Sequence, residues 1–440
     1  MSTFQGSQLR DRLLSLIGSS FWGLADQAIV SLTSFLTMIL LARVLTPDDF
    51  GAFVLIYGAL LLFNALQSGL FTQPHNVLGS SLTGAEYVRY TTTTLITQLA
   101  FSLLLGILAV GAFIAAVELG WTAAPLLIAT APAIIAWQIQ EYLRRVYYTE
   151  GRVREAFLND MISYGGQIIG IAGIWLAGAL TGPLAIYVLA ATSALAALVA
   201  LWHLQDRLDL GFDRTVVEEN WRFGKWLFGA NLVQSGRIQL HLMLIGGLVS
   251  VTAAGLYRAT QNLVAPTHIM MNAIKSIAMP RAAAIHTRDG LPAMRRYLIR
   301  ICVLGLIPIL LYLVAVSLVA RPLLHRLYAG QYDGYAWLVW LFSAVYLLAY
   351  GGQVLTVVLS AMRITRAVRY GEVVTLVMAI SAGVPLIWIF GIGGALVTDI
   401  IVGCTLMGAL AHQLIHRPQS TDTPAPMVDL TPLEVPAHGD

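Results

Sequence analysis

Polar and charged side chains recur at helical spacing inside two apolar segments near the middle of the chain. Residues 227–249 and 255–279 each form a run long enough to cross a bilayer as a helix. Steps of three and four share one helix face. On such faces lie Gln234, Arg237 and His241 in the first run, and Arg258, Gln261, His268, Asn272 and Lys275 in the second. Charges at membrane depth are costly and face a bundle interior or a wet cavity. We therefore predict that these helices line a cationic, water-filled cavity.

Arg237 is the strongest single candidate, because it lies near the middle of its segment, where it cannot easily reach an interface. A guanidinium binds phosphate through two parallel hydrogen bonds, which favours a substrate-phosphate role. The alternative is a structural ion pair with Asp26 or Asp399, two aspartates in other apolar runs. Those aspartates are themselves candidates for coupling transport to a proton or a sodium ion. Both interpretations of Arg237 stay open.

Each of the remaining candidate residues also has a structural interpretation that requires no role in substrate binding. Arg258 and Lys275 lie close to helix ends, so their side chains could extend to lipid headgroups. His241 and His268 could be neutral packing histidines. An earlier apolar run carries a further polar stripe on one helix face, formed by Tyr57, Asn64 and Gln67. Glu141 stands beside Arg144 and Arg145 at the edge of a predicted span, so a local ion pair is expected there.

The composition indicates a membrane protein. Hydrophobic residues make up 58% of the 440, charged residues 11%, and the mean hydropathy is +0.75. A soluble domain has about a quarter charged residues. The two cysteines, Cys302 and Cys404, both lie in apolar runs, so no disulfide framework is expected. The first apolar stretch is too long for a cleavable signal peptide.

Hydropathy predicts an all-α fold of twelve transmembrane helices. Residues 417–440 are rich in Pro, Thr and Asp and predict a disordered tail. The predicted spans are Ser20–Ala42, Ala52–Gln73, Thr92–Val117, Ala123–Leu143, Leu158–Leu180, Leu184–His203, Leu227–Val249, Ala254–Met279, Leu298–Ala320, Ala336–Leu359, Val373–Phe390 and Gly393–Gln413.

The distribution of positive charge predicts the orientation of these spans. Of the 26 Lys and Arg residues, 20 fall in segments on the side of the N-terminus and 3 on the opposite side. Cytoplasmic loops carry the excess of Lys and Arg, so both termini are predicted to be cytoplasmic.

The chain also carries a weak internal repeat at an offset of 204 residues. This offset aligns Trp22 with Trp226, Ser31 with Ser235, and Gly51 with Gly255, without a gap. We predict two six-helix bundles, residues 1–203 and 204–416, related by a pseudo-two-fold axis. In transporters such halves move against each other around a substrate site near the midplane.

Two stretches resemble the polysaccharide-transporter flippases. The first is Leu-Leu-Ala-Arg-Val-Leu-Thr-Pro-Asp-Asp-Phe-Gly, residues 40–51; the second runs from Phe223-Gly224-Lys225-Trp226 through Gly255-Leu256-Tyr257 to Met279-Pro280. The superfamily also includes multidrug exporters of the MATE type and peptidoglycan-precursor flippases. The resemblance implies transfer of undecaprenyl-diphosphate-linked oligosaccharide to the outer leaflet of the bacterial cytoplasmic membrane. It also implies polysaccharide polymerases and glycosyltransferases as pathway partners. His241 departs from the family, whose members often carry Asp there.

Two other functions remain as alternatives. A multidrug exporter would suit an anionic, aromatic cavity, whereas here the intramembrane cations outnumber the carboxylates. A membrane polymerase or glycosyltransferase usually needs a large outer loop, and the longest outer loop, residues 321–335, is short. The sequence has no G-x-x-x-x-G-K-[ST] phosphate loop and no Cys/His metal spacing. We therefore expect no enzyme activity, no catalytic residues, no metal, no cofactor and no nucleic acid, and we expect membrane lipids as contacts.

Overall fold

The apolar runs of this chain fold as helices, since a helix satisfies its own backbone hydrogen bonds where no water is present. A computed structural model describes residues 2–209, 211–361 and 365–416. Within these ranges the chain is helical and contains no strand, which confirms the all-α prediction. The predicted tail, residues 417–440, lies outside the described residues.

The first half of the chain contains eight helices. They are α1 (Ser2–Val44), α2 (Pro47–Gln67), α3 (Gln73–Val77), α4 (Gly84–Glu118), α5 (Ala124–Thr149), α6 (Val153–Asp160), α7 (Gly166–Leu176) and α8 (Gly182–His203). Two π-helical turns, Ser68–Thr72 and Met161–Gly165, continue α2 into α3 and α6 into α7. Short 3₁₀ turns occur at Gly79–Ser81 and Gln205–Arg207.

The second half contains α9 (Arg214–Leu248), α10 (Val251–Val264), α11 (Pro266–Leu318), α12 (Ala320–Tyr328), α13 (Trp337–Ala361), α14 (Thr365–Ser381) and α15 (Gly383–His416), with a 3₁₀ turn at Asp333–Tyr335. Two of these helices turn at a glycine in the left-handed region. Gly290 in α11 has φ 79°, and Gly391 in α15 has φ 57°. Each turn separates two predicted spans, so α11 and α15 each carry parts of two membrane crossings.

Every one of the twelve predicted spans coincides with a helical segment of the described chain. Eight described helices are long and apolar enough to cross a membrane by length and composition. The other four predicted spans are the fifth, seventh, eighth and eleventh. The first three of these contain a turn or polar residues, as at Met161–Gly165, Arg237 and Arg258, and the eleventh is divided between α14 and α15.

Each half is a bundle with its own central helix. In the first half α5 packs against α4 and α8, and in the second half α13 packs against α11 and α15. The two bundles meet where α2 packs on α9 and α10. The contact surface therefore consists of the helices that carry the polar stripes.

The internal repeat is visible in the helix ends. Val44 and Leu248, the last residues of α1 and α9, correspond at the predicted offset. The following residues, Thr46 and Ser250, also correspond. Each caps the next helix, accepting a hydrogen bond from the backbone N–H three residues on, at 3.2 Å and 3.0 Å. The two halves thus share their local structure at this point.

Equivalent residues of the two halves touch at one end of the bundle. The Thr252 hydroxyl donates to Asp48, which is 204 residues earlier in the chain. Gly51 and Gly255 pack backbone to backbone, so that a Cβ on Gly255 would lie 2.9 Å from the Gly51 nitrogen. We name this end the far face, and the end where α1 begins the near face. Because no side chain separates α2 from α10 here, the far face is closed between the bundles.

Candidate functional site

The polar stripe on α9 is divided between exposed and buried side chains. Gln234 is exposed and Arg237 is half-buried. His241, one turn further on, is 3% exposed, and its Nδ1 lies 3.0 Å from Oδ1 of Asp399 on α15. Asp399 therefore has a partner within the second bundle, His241.

The stripe that continues through α10 into α11 is the more accessible one. Arg258 is half-buried, and its Nη1 donates to Oε1 of Gln261 at 2.9 Å. His268 is exposed, with its ring centroid 4.8 Å from that of Tyr346 on α13. Further along α11, Asn272 and Lys275 are both exposed. Arg258 and Gln261 thus lie on α10, and His268, Asn272 and Lys275 on the helix that follows it, α11.

The polar residues of α2 take two different roles in packing. Gln67 is buried, and its Nε2 donates to the backbone oxygen of Gln138 on α5 at 2.9 Å. Tyr57 is also buried and stacks on Trp137, with ring centroids 6.4 Å apart. Asn64 is half-buried and lines a cavity. The structure therefore places Gln67 and Tyr57 in contacts within the first bundle, and Asn64 at a polar opening.

The densest set of charges lies in the first bundle, around Arg144 on α5. Its guanidinium contacts three carboxylates from three helices. Nη2 lies 2.5 Å from Oδ2 of Asp26 on α1, and Nη1 lies 3.2 Å from Oε2 of Glu141 on α5. Nε lies 2.8 Å from Oδ2 of Asp160 on α6, out of line for a hydrogen bond. We name these four residues the Arg144 cluster.

The Arg144 cluster is shielded from solvent. Asp26 is 1% exposed, Asp160 0% and Arg144 9%. Polar neighbours complete its hydrogen bonds: Tyr148 donates to Asp26 at 2.5 Å, Tyr164 donates to Glu141 at 3.1 Å, and Gln140 donates to Asp160 at 2.9 Å. Two carboxylate oxygens, Oδ1 of Asp26 and Oδ2 of Asp160, are buried without a hydrogen-bond partner.

The cluster gives one candidate residue a partner and moves one predicted helix end. Asp26 pairs with Arg144. Arg144, which the charge count places in a loop, lies within α5, since this helix continues to Thr149 beyond the predicted end at Leu143. The expected local pair of Glu141 with Arg144 is present, as part of the larger set. Two features of the sequence could have indicated this cluster: the Glu-x-x-Arg spacing of Glu141 and Arg144 on one helix face, and the intramembrane Asp26.

A polar cavity of about 230 Å³ adjoins the cluster. It is lined by Leu61, Asn64, Ala65, Ser68, Thr72, Glu141 and Arg145. Glu141 belongs to both, because its carboxylate contacts Arg144 and its side chain lines the cavity. The cavity therefore brings Asn64, a predicted site residue, next to Arg145.

The described residues contain no group of three or more His, Cys, Asp and Glu side chains arranged to hold a metal ion. The three carboxylates of the Arg144 cluster surround a guanidinium instead.

Comparison with known proteins identifies both a sequence family and a fold. A family described as "Polysaccharide biosynthesis protein" matches residues 40–336. A search of curated protein sequences returns no significant match.

Solved structures of membrane transporters share the fold at low sequence identity. The lipid II flippase MurJ in an inward closed conformation aligns with a TM-score of 0.72 and 13% identity, covering 90% of this chain and 88% of that one. An inward-facing MATE multidrug transporter aligns at 0.69 and 14%, covering 89% and 98%. An outward-facing MATE transporter aligns at 0.57 and 14%, covering 91% and 95%. These matches establish the fold of a multi-pass membrane protein.

Proposed function

Because the chain belongs to the polysaccharide biosynthesis protein family, we propose that it is a flippase for undecaprenyl-diphosphate-linked oligosaccharide. It moves this lipid across the bacterial cytoplasmic membrane by alternating access. The observation that carries the proposal is the stripe of accessible cations and polar groups along α9, α10 and α11. Arg237, Arg258 and Lys275 retain exposure at the depth of predicted membrane spans. Such groups are stable there when they face water or an anionic ligand.

The substrate has a diphosphate that needs polar, cationic surroundings and a polyprenyl tail that needs lipid, and the two bundles can supply both. The diphosphate is a dense negative charge that must leave bulk water, so it needs cationic donors near the midplane. Arg237 offers a planar fork for a phosphate, and Arg258 adds a second guanidinium one helix away. Gln261, His268 and Asn272 supply neutral hydrogen-bonding groups suited to sugar hydroxyls. The polyprenyl tail remains in the lipid outside the gap between the bundles.

With its far face closed, the protein is in a state from which the proposed transport cycle can begin. With Gly51 packed on Gly255, the substrate can reach the stripe from the near face. Opening requires α2 and α10 to separate at this contact and the bundles to close at the other end. The higher TM-scores of inward-facing and inward-closed relatives support a state in which the near face is cytoplasmic. Reporter fusions at Thr181 and Arg288 test this orientation, with external and internal readings expected respectively.

A multidrug exporter with the same fold is the main alternative, and a membrane polymerase is a less favoured one. A cationic drug would meet Arg237, Arg258 and Lys275 as like charges, which disfavours its binding along the stripe. A polymerase would require an exposed carboxylate pair or a large outer domain, whereas the outer segment between α11 and α13 is occupied by the short helix α12.

Deletion of the gene in its native host tests the proposal. The expected result is loss of one exported polysaccharide, with its lipid-linked repeat units accumulating in the inner leaflet. Complementation with the wild-type chain should restore export, and complementation with Arg237→Gln should not. Normal polymer export in the deletion strain, with no paralogue expressed, contradicts the substrate assignment. Loss of drug resistance in place of polymer export favours the exporter.

A further inference from the structure

A cavity of about 490 Å³ lies at the far face, beside the contact that closes it. Its walls come from the start of α10, from the segment between α12 and α13, and from the turn in α15. Sites for small molecules in proteins commonly have volumes of about 300–1,000 Å³. The cavity therefore has the size of a ligand site, and it lies apart from the cations of the stripe.

Four aromatic side chains line this far-face cavity: Tyr332, Tyr335, Trp337 and Phe390. Three of them are exposed despite their size, Tyr335 at 44%, Trp337 at 52% and Phe390 at 65%. Aromatic rings at a membrane interface often lie against lipid headgroups, but these rings line a concave space, as in a ligand site. Their faces offer apolar contact to another ring, such as the carbon–hydrogen face of a pyranose.

The polar groups of the far-face cavity are neutral. Ser250 and Thr252 contribute hydroxyls and Gln331 an amide, and no described residue that lines the cavity is charged at neutral pH. Hydroxyls and amides both donate and accept hydrogen bonds, as sugar hydroxyls do. A phosphate would find no cation among these residues, and an acyl chain would leave their polar groups unpaired, which is costly. The lining therefore favours a neutral sugar.

One lining side chain has an unused hydrogen-bonding group. Tyr332 is 1% exposed, and its hydroxyl is buried without a hydrogen-bond partner. Its ring packs edge-on against Tyr328, whose own hydroxyl donates to the backbone oxygen of Ala259 at 3.0 Å. Buried polar groups are nearly always paired, so an unpaired one on a cavity-lining residue indicates that a further molecule completes its hydrogen bonds.

We propose that the far-face cavity binds the neutral sugar portion of the transported lipid. Its role as an exit site rests on the proposed function. Thr252 connects the cavity with the closed contact, because its hydroxyl donates to Asp48 and the residue also lines the cavity. When α2 and α10 separate, sugars held along the stripe come next to the aromatic rings. Binding there holds the sugar at the far face while the diphosphate leaves the stripe, which opposes return of the lipid.

Titration of the full-length protein in lipid nanodiscs with a soluble sugar tests the site without lipid or diphosphate. The probe is the oligosaccharide repeat unit released from the surface polysaccharide of the native host, and saturation-transfer difference NMR measures its binding. Trp337→Ala should weaken binding about three- to tenfold, through the loss of one ring contact. Tyr332→Phe should also weaken binding but keep thermal stability, since it removes only an unpaired hydroxyl.

Trp340→Ala is the matched control. Trp340 lies on the same helix as Trp337, three residues further on, and is 48% exposed, but it does not line the cavity. Its replacement should therefore leave sugar binding unchanged. Size-exclusion elution and helical circular dichroism establish that each variant is folded.

The possible results separate the sugar site from the proposed transport function. Weaker binding in Trp337→Ala and Tyr332→Phe, with unchanged binding in Trp340→Ala, supports the proposal. A wild type that does not bind the sugar overturns it, as does unchanged binding in both cavity variants. Equal weakening in Trp340→Ala assigns the rings to the membrane interface and also overturns it. Sugar binding together with normal polymer export in the deletion strain retains the site and rejects the flippase, whereas lost export without sugar binding rejects the site alone.

Discussion

The two halves of this molecule share a backbone plan but carry opposite chemistry. The corresponding helices α1 and α9 end at Val44 and Leu248. The next helices, α2 and α10, start behind equivalent hydroxyl caps and touch at Gly51 and Gly255. In the first half, one arginine is enclosed by three buried carboxylates. In the second half, cations line α9, α10 and α11 with partial exposure, and the buried His241 contacts the half-buried Asp399.

The comparison indicates that the pseudo-two-fold symmetry constrains the residues at which the two halves touch, whereas the residues inside each bundle can differ. The closed far face requires matched glycines from both halves, because any side chain would hold the helices apart. The interiors are free to differ, since each is packed within its own bundle. The first half therefore holds a buried cluster of charges and the second a row of accessible cations, and the following substitutions test these two features separately.

Replacing Arg144 should have the largest effect. Arg144→Gln leaves three carboxylates buried without a cation, and removing one partner of a buried ion pair costs about 3–5 kcal/mol. We expect a large loss of thermal stability in detergent, or no folded protein at all. The neighbouring substitution Arg145→Gln is the matched control and should change stability little, since Arg145 lies at the cavity. Equal stability of the two variants would mean that the cluster does not hold the first bundle together.

Replacing Arg237 should disable transport without unfolding the protein. Truncating one side of a desolvated charge contact typically costs about 2–5 kcal/mol of binding, which is well over tenfold. Arg237→Gln should therefore bind lipid-diphosphate sugars very weakly, whereas Arg237→Lys should keep partial binding because it keeps the charge. Native mass spectrometry with undecaprenyl-diphosphate-linked oligosaccharide measures both. Unchanged binding in a folded Arg237→Gln protein would remove this residue from the site.

A methyl group on Gly51 should disturb the far face. The added Cβ would lie 2.0 Å from the backbone oxygen of Val251, so α2 and α10 must move apart. Overpacking of this kind costs about 1–3 kcal/mol. We expect Gly51→Ala to lower the melting temperature and to admit a thiol reagent to cysteines placed behind the contact. Gly247→Ala, which meets open space, is the control. A far face that stays closed to the reagent in Gly51→Ala would show that the glycine contact is not the seal.

The smallest effect is expected at His241. The pair with Asp399 is one contact, and a typical hydrogen bond contributes about 0.5–1.5 kcal/mol. His241→Gln retains a hydrogen-bonding group, so transport should weaken mildly and the fold should persist. A complete loss of transport in this folded variant would mean that the contact between His241 and Asp399 is essential to the transport cycle.

The sequence alone predicts the helices and the repeat well, and the charged interior poorly. The offset that aligns Gly51 with Gly255 also predicts their contact, since residues on a symmetry axis meet their own equivalents. The position of Arg144 is missed, because hydropathy treats an arginine at a helix end as a loop residue. Its burial depends on Asp26 and Asp160, which come from distant parts of the chain. Periodicity describes one helix at a time and carries no information on such pairings.

The central claim is that the cationic stripe of the second half carries a lipid-linked anion. Its most direct test is transport in proteoliposomes that contain labelled undecaprenyl-diphosphate-linked oligosaccharide. The account predicts that the wild type moves the lipid between leaflets faster than it moves in protein-free vesicles, and that folded Arg237→Gln neither binds nor moves it. Lipid movement no faster than in protein-free vesicles, or equal rates in wild type and Arg237→Gln, would contradict it.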